Sequence, residues 1–302
     1  MNRPDKQTFI AGEGEGRLDI FLTACLQSYP RNMVQKLIKQ GAAAVNGKIR
    51  KASWPLEKGD TVVISWSQTR ATVDLKQIII ADNKDFFVIN KPAGLLVHPQ
   101  SPAWETNPSF AFTGEETLAA AIIAAPPKGF DMRMPRAGLV HRLDRETSGV
   151  MLIAKNHKFQ EAMQTLFAAR LAHKTYNAIC CGEVPDNEGT INVPIGRVSG
   201  GKIKASGLGR DAITGYKVLE RKKNFSYMEL YPRTGRTNQL RVHMSWLGYP
   251  VLGDWLYKGS AAPRLMLHAR RLEFKRPYTG RQMKFEVPPP PDFTQVWEEN
   301  TK

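Results

Sequence analysis

The spacing of apolar residues predicts a small structural unit near the start of the chain. A first amphipathic helix is predicted to begin at Arg17 and to end before Pro30. In a second predicted helix, Met33 and Leu37 are four residues apart and therefore share one face, and Gly41 ends the pattern. We therefore expect two helices with apolar faces in this part of the chain.

A hairpin and a strand complete the small unit. Asn46 and Gly47 form a dipeptide that is typical of two-residue hairpin turns, because both positions accept a positive φ. A strand is predicted over 61–65. These elements together predict a small α+β domain over 15–67, preceded by a disordered tail over 1–14.

The remainder of the chain is predicted to form one larger, strand-rich domain. A linker is expected over 68–77 and the large domain over 78–298. Within that domain the apolar run 86–90 is a predicted strand, and the polar, proline-containing stretch 100–116 is a predicted mobile loop. Apolar residues at helical spacing over 159–171 predict an amphipathic helix.

A polar nonapeptide, 141–149, separates two apolar runs in the large domain. The runs, 137–140 and 150–154, are predicted to be buried strands, with the nonapeptide as a loop held at the edge of the sheet. Asp144 lies in this loop among arginines. Its carboxylate stays ionised if the opposite charges lower the pKa more than burial raises it, and it would then suit a nucleophile or a base.

The net charge narrows the classes of partner. The chain has 302 residues, and its 43 Lys and Arg against 28 Asp and Glu give a formal charge of +15. Such an excess favours nucleic acid, because each phosphate that Lys or Arg neutralises releases counterions. An anionic membrane surface is the rival interpretation. It requires a basic amphipathic helix or a polybasic tail, and no such segment stands out.

The basic residues are concentrated in two parts of the chain. Between 200 and 241, ten basic residues stand against three acidic ones. The second concentration is a predicted rim on the small domain, made up of Arg31, Lys36, Lys39, Lys48, Arg50 and Lys51. Both concentrations suit an RNA backbone. On charge alone, an ordinary solvated helix face explains the small domain's rim better than RNA binding does.

Two further clusters carry candidate chemistry. Tyr176 opens a predicted strand, where it is either a packing residue or an aromatic face for an unstacked base. The segment 233–243 contains Arg233, Arg236 and Arg241, followed by a helix whose Leu240 and Met244 are predicted to face inward. Arginines this close repel one another unless anions such as phosphates or Asp144 are near. The alternative is a set of surface salt bridges, each worth only ~0–1 kcal/mol.

The motifs of the small unit resemble those of a known RNA-binding module. The segments 17–19, 37–41, 45–47 and 59–62 occur in the order found in the S4 domain, which is named after a ribosomal protein. The resemblance covers about fifty residues. It implies that the small domain binds RNA.

The motifs of the large domain resemble those of the RluA-type pseudouridine synthases. The resemblance runs through 90–94, 98–99, 141–149, 174–176, 233–243, 248–254 and 267–269. It implies an α+β fold, with a large catalytic domain built on a mixed, mainly antiparallel sheet flanked by helices and a small α+β RNA-binding domain before it. The implied activity is the isomerisation of uridine in structured RNA.

The resemblance also implies roles for individual residues. Asp144 would be the catalytic aspartate, and Arg142 would help to extrude the uridine by occupying its place in the helix. Tyr176 would stack on the flipped uracil and relay its proton, and Arg236 would pair with Asp144 and hold it ionised. The residues expected to contact RNA are Arg142, Arg31, Lys36, Lys39, Arg233 and Arg241.

Two other functions are compatible with the same residues. A metal-dependent nuclease or phosphoesterase would use His141, Asp144 and His157, although such sites usually gather several carboxylates. A binding or assembly factor would use Asp144 only to pair with an arginine. The first alternative predicts loss of activity with a chelator, and the second predicts no catalysis.

The expected partner is structured RNA, with large-subunit ribosomal RNA first and transfer RNA second. No cofactor is expected, because the isomerisation involves no redox change and no group donor. No metal is expected either, since the three cysteines lack metal-ligand spacing. Residues 1–16 lack the apolar stretch of a secretory signal, and the apolar run 118–125 is too short to span a bilayer. We therefore expect a cytoplasmic protein that acts as a monomer.

Overall fold

The computed structural model describes most of the chain. The described residues are 6–26, 31–39, 41–65, 73–106, 108–112, 115–198 and 201–299. The helices are α1 (Leu18–Cys25), α2 (Arg31–Lys39), α3 (Leu75–Ile78), α4 (Ala103–Thr106), α5 (Leu118–Ala124), α6 (His157–Ala168), α7 (Gln239–Trp246) and α8 (Pro291–Glu299). The strands are β1 (Lys6–Ile10), β2 (Ala43–Val45), β3 (Lys48–Ile49), β4 (Thr61–Ser65), β5 (Ile79–Asp82), β6 (Phe86–Lys91), β7 (Ser148–Ala154), β8 (His173–Cys181), β9 (Glu188–Asn192), β10 (Ile195–Arg197), β11 (Ile203–Ala205), β12 (Ile213–Lys222), β13 (Phe225–Pro232), β14 (Leu267–Lys275) and β15 (Gln282–Glu286). None of the helices within these described ranges has both the length and the apolar character needed to cross a bilayer.

The small N-terminal unit combines α1 and α2 with a four-stranded antiparallel sheet in the order β1-β4-β2-β3. The predicted hairpin joins β2 to β3, and both of its turn residues have a positive φ, 50° at Asn46 and 74° at Gly47. The prediction of a disordered tail over 1–14 is wrong for residues 6–10, which form β1. This strand pairs with the edge of β4, and Phe9 packs edge-on against Phe21 with ring centroids 6.5 Å apart.

The large domain is built on a nine-stranded sheet in the order β5-β6-β7-β14-β8-β13-β12-β9, with β15 paired to β14. Among the strands of the described residues, β7 and β14 form the one parallel pair of this sheet, so the sheet is mixed and mainly antiparallel, as predicted. Alternate residues of β6 enter different cores. Phe86 and Val88 join a cluster with α6 on one face, and Phe87 and Ile89 join the main core on the other face.

The predicted helix over 159–171 is confirmed as α6, with shifted ends. The helix starts at His157, because the side chain of Asn156 accepts a hydrogen bond from the backbone N–H of Phe159. It ends at Ala168, since Arg170 takes a positive φ of 60°. Leu171, which was predicted to belong to the helix, is exposed beyond that end.

Only one of the two predicted strands beside the nonapeptide forms. Residues 150–154 lie in β7, whereas the run 137–140 begins inside a short 3-10 helix over Pro135–Gly138. Arg136 and Ala137 have positive φ values of 54° and 49°, which prevents an extended strand. Gly138 passes so close to β7 that a Cβ there would lie 2.2 Å from a backbone carbonyl oxygen. Sequence periodicity does not reveal this close approach.

The stretch 100–116 was predicted to be a mobile loop, and that prediction is wrong for its described residues. It contains α4 and a 3-10 helix over Pro108–Phe112. Trp104 and Phe110 are almost completely buried in the main core, so burial of two large aromatic side chains orders the segment.

The described end of the predicted linker, 73–77, packs with the large domain. The backbone N–H of Val73 donates to Glu116 over 2.8 Å, and Asp74 caps α3. Leu75 is buried in the main core. Residues 68–72 of this prediction lie outside the described residues.

Candidate active site

A cleft of about 1160 Å³ brings together the six site residues that were predicted in the large domain. The predicted residues come from three of the chain segments that line it: the nonapeptide loop, the start of β8, and the turn before α7 together with α7 itself. The predicted residues that line it are Arg142, Asp144, Tyr176, Arg233, Arg236 and Arg241. These residues are separated by up to about a hundred positions in sequence, and the sheet holds them around one space.

A buried lysine anchors the loop that carries Asp144. The ammonium of Lys91 is inaccessible to solvent and donates to the carbonyls of Pro92, Leu95 and Arg145, at 2.8, 2.8 and 3.0 Å. The backbone N–H of Gly94 also donates to the Arg145 carbonyl over 2.9 Å. Burial lowers the pKa of Lys91 to about 7. The motif 90–94 therefore fixes the loop through its backbone.

The parallel contact between β7 and β14 fixes the other end of the loop. Gly149 has φ +119° and lies against Ala269, where a Cβ would meet the carbonyl oxygen at 2.2 Å. Beside it, Ser148 Oγ is 2.9 Å from His268 Nδ1, and His268 Nε2 is 3.2 Å from the carbonyl of Val287. Because that carbonyl can only accept, Nε2 donates and Nδ1 accepts from the serine. A side chain at position 149 would clash with the Ala269 carbonyl, which explains why the nonapeptide ends in glycine.

His141 acts within the loop as a hydrogen-bond acceptor. Its Nε2 accepts from the backbone N–H of Leu152 on β7 over 3.0 Å, and its ring packs on Phe167 with centroids 4.7 Å apart. Burial lowers the pKa of His141 well below the usual histidine range. The imidazole is therefore neutral and ties the loop to the sheet.

Burial dominates the electrostatics of Asp144. It raises the pKa of the carboxyl above the ordinary aspartate value, and the charges of Arg241, Arg142 and Lys91 act in the opposite direction. The nearby charge of Asp254 adds to the increase. The opposite charges therefore lower the Asp144 pKa by less than burial raises it. The cations only limit the increase in this pKa.

The predicted ion pair between Arg236 and Asp144 does not form among the described residues. Arg236 Nε instead donates to the carbonyl of Asp211 over 3.0 Å, and the Arg236 backbone N–H donates to the side chain of Gln239 over 3.0 Å. Gln239 begins α7, so its contact directs Arg236 away from the aspartate. Arg241, on the buried side of α7, is the guanidinium with the largest effect on the Asp144 pKa.

Arg241 forms a buried, bidentate ion pair with Asp254. Its Nε and Nη2 each lie 2.7 Å from a carboxylate oxygen of Asp254, which is 1% exposed. A third hydrogen bond joins Arg241 Nη1 to Asn238 Oδ1 over 3.2 Å. Arg241 was predicted to contact RNA, but these contacts engage most of its donors. It is better suited to set the charge around Asp144.

Tyr176 lies in β8 between β13 and β14, opposite Leu230 and Ala269. Its side chain is 6% exposed, and the exposed part faces the cleft. Burial raises the pKa of the phenol far above the ordinary tyrosine value, and the charge of Asp144 raises it further. The phenol therefore stays protonated, which makes it a poor proton acceptor.

Arg142 is exposed at the edge of the cleft and is oriented by His98. Arg142 Nη1 lies 2.9 Å from His98 Nε2, and His98 Nδ1 lies 2.8 Å from the carbonyl of Pro99. Since that carbonyl accepts, His98 Nδ1 carries the proton and Nε2 accepts from the arginine. The His98 ring also stacks on Trp104 with centroids 5.6 Å apart. An oriented but accessible guanidinium is compatible with the predicted role in extruding a base.

Three further residues stand at this site although their motifs alone predicted no role for them: His98, Lys174 and Asp254. All three belong to segments of the family resemblance, which was the one signal that could have found them. His98 follows the turn at 90–94, Lys174 precedes Tyr176 by two positions, and Asp254 ends the motif 248–254. Sequence spacing did not reveal the hydrogen bonds of His98 to Arg142 and of Asp254 to Arg241, or the electrostatic interaction of Lys174 with Asp144.

The small unit contains a buried carboxylate that organises two of its arginines. Asp19 is inaccessible to solvent, and it accepts hydrogen bonds from Arg17, Arg31 and Gln35. Burial raises the pKa of Asp19, but these hydrogen bonds outweigh it and lower the pKa to about 2. Arg31 keeps half of its side chain exposed. Arg31 was predicted to contact RNA, and some of its donors are therefore already engaged by Asp19 within the domain.

The other two predicted contacts of the small unit lie on α2. Lys39 is exposed. Lys36 lies on the same helix, but its side chain is outside the described residues. Of the predicted basic rim, Arg31, Lys39, Lys48 and Lys51 are exposed, Arg50 is partly buried, and only the side chain of Lys36 is not described.

Comparison with known proteins identifies the family. Residues 85–246 match the RNA pseudouridylate synthase family, and residues 16–62 match the S4 domain. The chain belongs to the RNA pseudouridylate synthase family. The resemblance inferred from the motifs is thereby confirmed, as are an isomerase activity and an RNA substrate for this family member.

Similar pseudouridine synthases span almost the whole chain. An uncharacterized RNA pseudouridine synthase of Bacillus subtilis, YlyB, is 33% identical over 93% of both chains. The ribosomal large subunit pseudouridine synthase D of Neisseria meningitidis serogroup A is 36% identical, over 92% of this chain and 76% of that protein. The protein of the same name from Pseudomonas aeruginosa is 33% identical, over 93% and 90%.

Solved structures of the family share the fold. Human RNA pseudouridylate synthase domain containing 4 superposes with a TM-score of 0.59 and 28% identity, over 75% of this chain and 94% of that chain. The human domain containing 1 gives a TM-score of 0.56 at 28% identity, over 70% and 83%. The mixed sheet of the pseudouridylate synthases thus forms the frame of the cleft.

Proposed function

We propose that this protein converts specific uridines of large-subunit ribosomal RNA into pseudouridine, with Asp144 as the catalytic carboxylate. The observation that carries the proposal is the cleft itself, in which Asp144 and Tyr176 lie beneath Arg142, Arg233 and Arg236. The choice of ribosomal RNA rests on the relatives named ribosomal large subunit pseudouridine synthase D. Transfer RNA is the alternative substrate.

The reaction requires the glycosidic bond to move from N1 to C5 of the same uracil. The N1–C1′ bond breaks, the base rotates while it stays bound, and a C5–C1′ bond forms. The uridine must first leave its stack, at a cost of a few kcal/mol that backbone contacts offset. We assign the attack to Asp144, stacking on the flipped uracil to Tyr176, and occupation of the vacated position to Arg142. Arg233 and Arg236 would contact phosphates.

The geometry gives little support to a metal-dependent nuclease built on His141, Asp144 and His157. His157 is at the surface, at the start of α6, where it lies 3.5 Å from Glu161. His141 uses Nε2 to accept from Leu152. The three residues therefore do not converge on one point. We further propose that the protein acts as a monomer in the cytoplasm.

Mapping pseudouridines in cellular RNA tests the proposed function. RNA from cells that lack the protein should be missing one or more pseudouridines in large-subunit ribosomal RNA, and expression of the wild-type chain should restore them. A missing site in transfer RNA would change the substrate class. An unchanged map of both RNAs would contradict the proposed function.

The small domain is expected to bind RNA through contacts between lysines of α2 and the RNA phosphates. Replacing Lys36 and Lys39 with glutamine should reduce the slope of log affinity against log salt by about 0.7–0.9 for each phosphate that is no longer neutralised. The measurement is a salt titration of RNA binding. Lys58→Gln is the matched control, since Lys58 lies in the same domain and pairs with Glu13. An unchanged slope in the double variant would refute RNA contact by α2.

A further inference from the structure

Lys174 is a cation at the cleft with an unusual environment. It lies in β8, where its backbone is opposite Leu272 of β14, and its side chain is only partly exposed. The ammonium stands 5.5 Å from the ring centroid of Phe167 on α6, and the residue lines the same cleft as Asp144 and Tyr176. Within the described part of the chain, its Nζ has no hydrogen-bond or ion-pair acceptor. A partly exposed cation that has no acceptor in the protein has donors to offer to a ligand at the cleft.

The groups that face Lys174 make its proton easy to move. Asp144 and the neutral His141 face it from the nonapeptide loop, and the uncharged phenol of Tyr176 lies two positions along β8. Burial lowers the pKa of Lys174 to about 8, and the charge of Asp144 opposes this decrease. Near neutral pH both the ammonium and the amine are therefore accessible.

The isomerisation needs a proton to move between two atoms of the uracil ring. Once the C5–C1′ bond has formed, C5 carries both C1′ and its original hydrogen, and N1 is an imine nitrogen. The product has no hydrogen on C5 and one on N1. A group whose pKa is near the working pH transfers protons most effectively. The phenol of Tyr176 does not meet this condition, because its pKa is raised far above neutrality.

We propose that Lys174 carries this proton, a role that rests on the proposed function. The ammonium gives a proton to N1, which makes the N1=C6 bond an iminium. The resulting amine then takes the hydrogen from C5. The C5–H electron pair becomes the C5=C6 bond, and the pair of the N1=C6 π bond returns to N1. The ammonium is regenerated, and no other reactant is consumed.

Lys174→Arg separates proton transfer from charge. Arginine keeps the positive charge and the donors, but its pKa is too high for it to give up a proton. The single-turnover rate of pseudouridine formation should fall roughly 10²- to 10⁴-fold, the usual contribution of general acid–base catalysis, while RNA affinity is unchanged. Lys284→Arg is the matched control, because Lys284 is a strand lysine at the surface that pairs with Glu286.

The pH profile provides a second readout. At subsaturating RNA the wild-type rate should decline as the pH rises past about 8, since the ammonium that donates to N1 is then lost. Lys174→Arg should lack this decline. In Lys174→Ala, added primary amines should restore part of the rate, and the restored rate should depend on the pKa of the amine.

The outcomes distinguish this proposal from the proposed function. If the wild type makes no pseudouridine in its RNA, the proposed function itself is wrong. If the wild type and Lys284→Arg are active and Lys174→Arg is equally active, only the relay is wrong. An equal loss of rate and RNA affinity, or a loss in Lys174→Ala that no amine restores, would also overturn the relay, because Lys174 would then act by binding or packing.

Discussion

Asp144→Asn is expected to lower pseudouridine formation by roughly 10⁴-fold or more while RNA affinity is maintained. Asparagine has the shape of aspartate but provides neither a nucleophile nor a base. RNA binding should survive, because the change removes a negative charge from a cleft that receives phosphates. The measurement is the single-turnover yield of pseudouridine, together with a binding titration on the same RNA.

A matched control sharpens the test of Asp144. The partly exposed carboxylate of Asp131 pairs with the exposed Arg133, so Asp131→Asn is a matched control that should retain full activity. If Asp144→Asn formed as much pseudouridine as the wild type, the assignment of Asp144 as the catalytic carboxylate would be refuted. A parallel loss of RNA affinity would instead indicate that Asp144 organises the binding surface. A binding or assembly factor predicts no pseudouridine from any variant, the wild type included.

Asp254→Ala should lower the free energy of unfolding of the large domain by roughly 3–5 kcal/mol. Asp254 is 1% exposed and holds Arg241 through two hydrogen bonds of 2.7 Å. Its removal leaves a buried guanidinium without a counter-charge, and the charge around Asp144 changes at the same time. The stability loss is measured by denaturant titration, and activity is assayed on the same preparation. A much smaller loss would indicate that water reaches Arg241.

A double variant separates the structural effect of this pair from its catalytic effect. Replacing Arg241 with methionine and Asp254 with leucine removes both charges, so most of the stability should return. Activity should stay low, because the cation with the largest effect on the Asp144 pKa is gone. Asn238→Ala is the control that leaves the ion pair intact: it removes one hydrogen bond to Arg241 and one to the Tyr257 hydroxyl, at a cost of about 1–3 kcal/mol for each. Recovery of full activity in the double variant would exclude a role for Arg241 beyond folding.

Much of the fold was predictable where local pattern and tertiary environment agree. The apolar run 150–154 forms β7 because its neighbours on both sides are strands, and the spacing over 159–171 forms α6 because one face meets the sheet. The equally apolar run 137–140 does not form a strand. Arg136, just before the run, and Ala137, its first residue, take positive φ, and Gly138 must pass close to a carbonyl of β7. Periodicity carries no information about such backbone approaches.

The candidate site likewise contains residues that the sequence predicts and interactions that only the fold reveals. Asp144, Tyr176 and four arginines could be selected from sequence, because their motifs are specific and the chain is strongly basic. Which arginine acts on the aspartate could not, since Arg236 and Arg241 are only five positions apart. The start of α7 decides between them: Gln239 holds Arg236 near Asp211, and the helix turns Arg241 towards the interior.

The sequence alone determined the family, the two RNA-directed units and the acidic residue at the centre, because these depend on short motifs and on overall charge. Tertiary structure decided the protonation chemistry, because a pKa depends on burial and on charges that distant segments contribute. Asp144 and Lys174 are thirty positions apart in sequence, and only folding partly buries both and sets each in the electric field of the other.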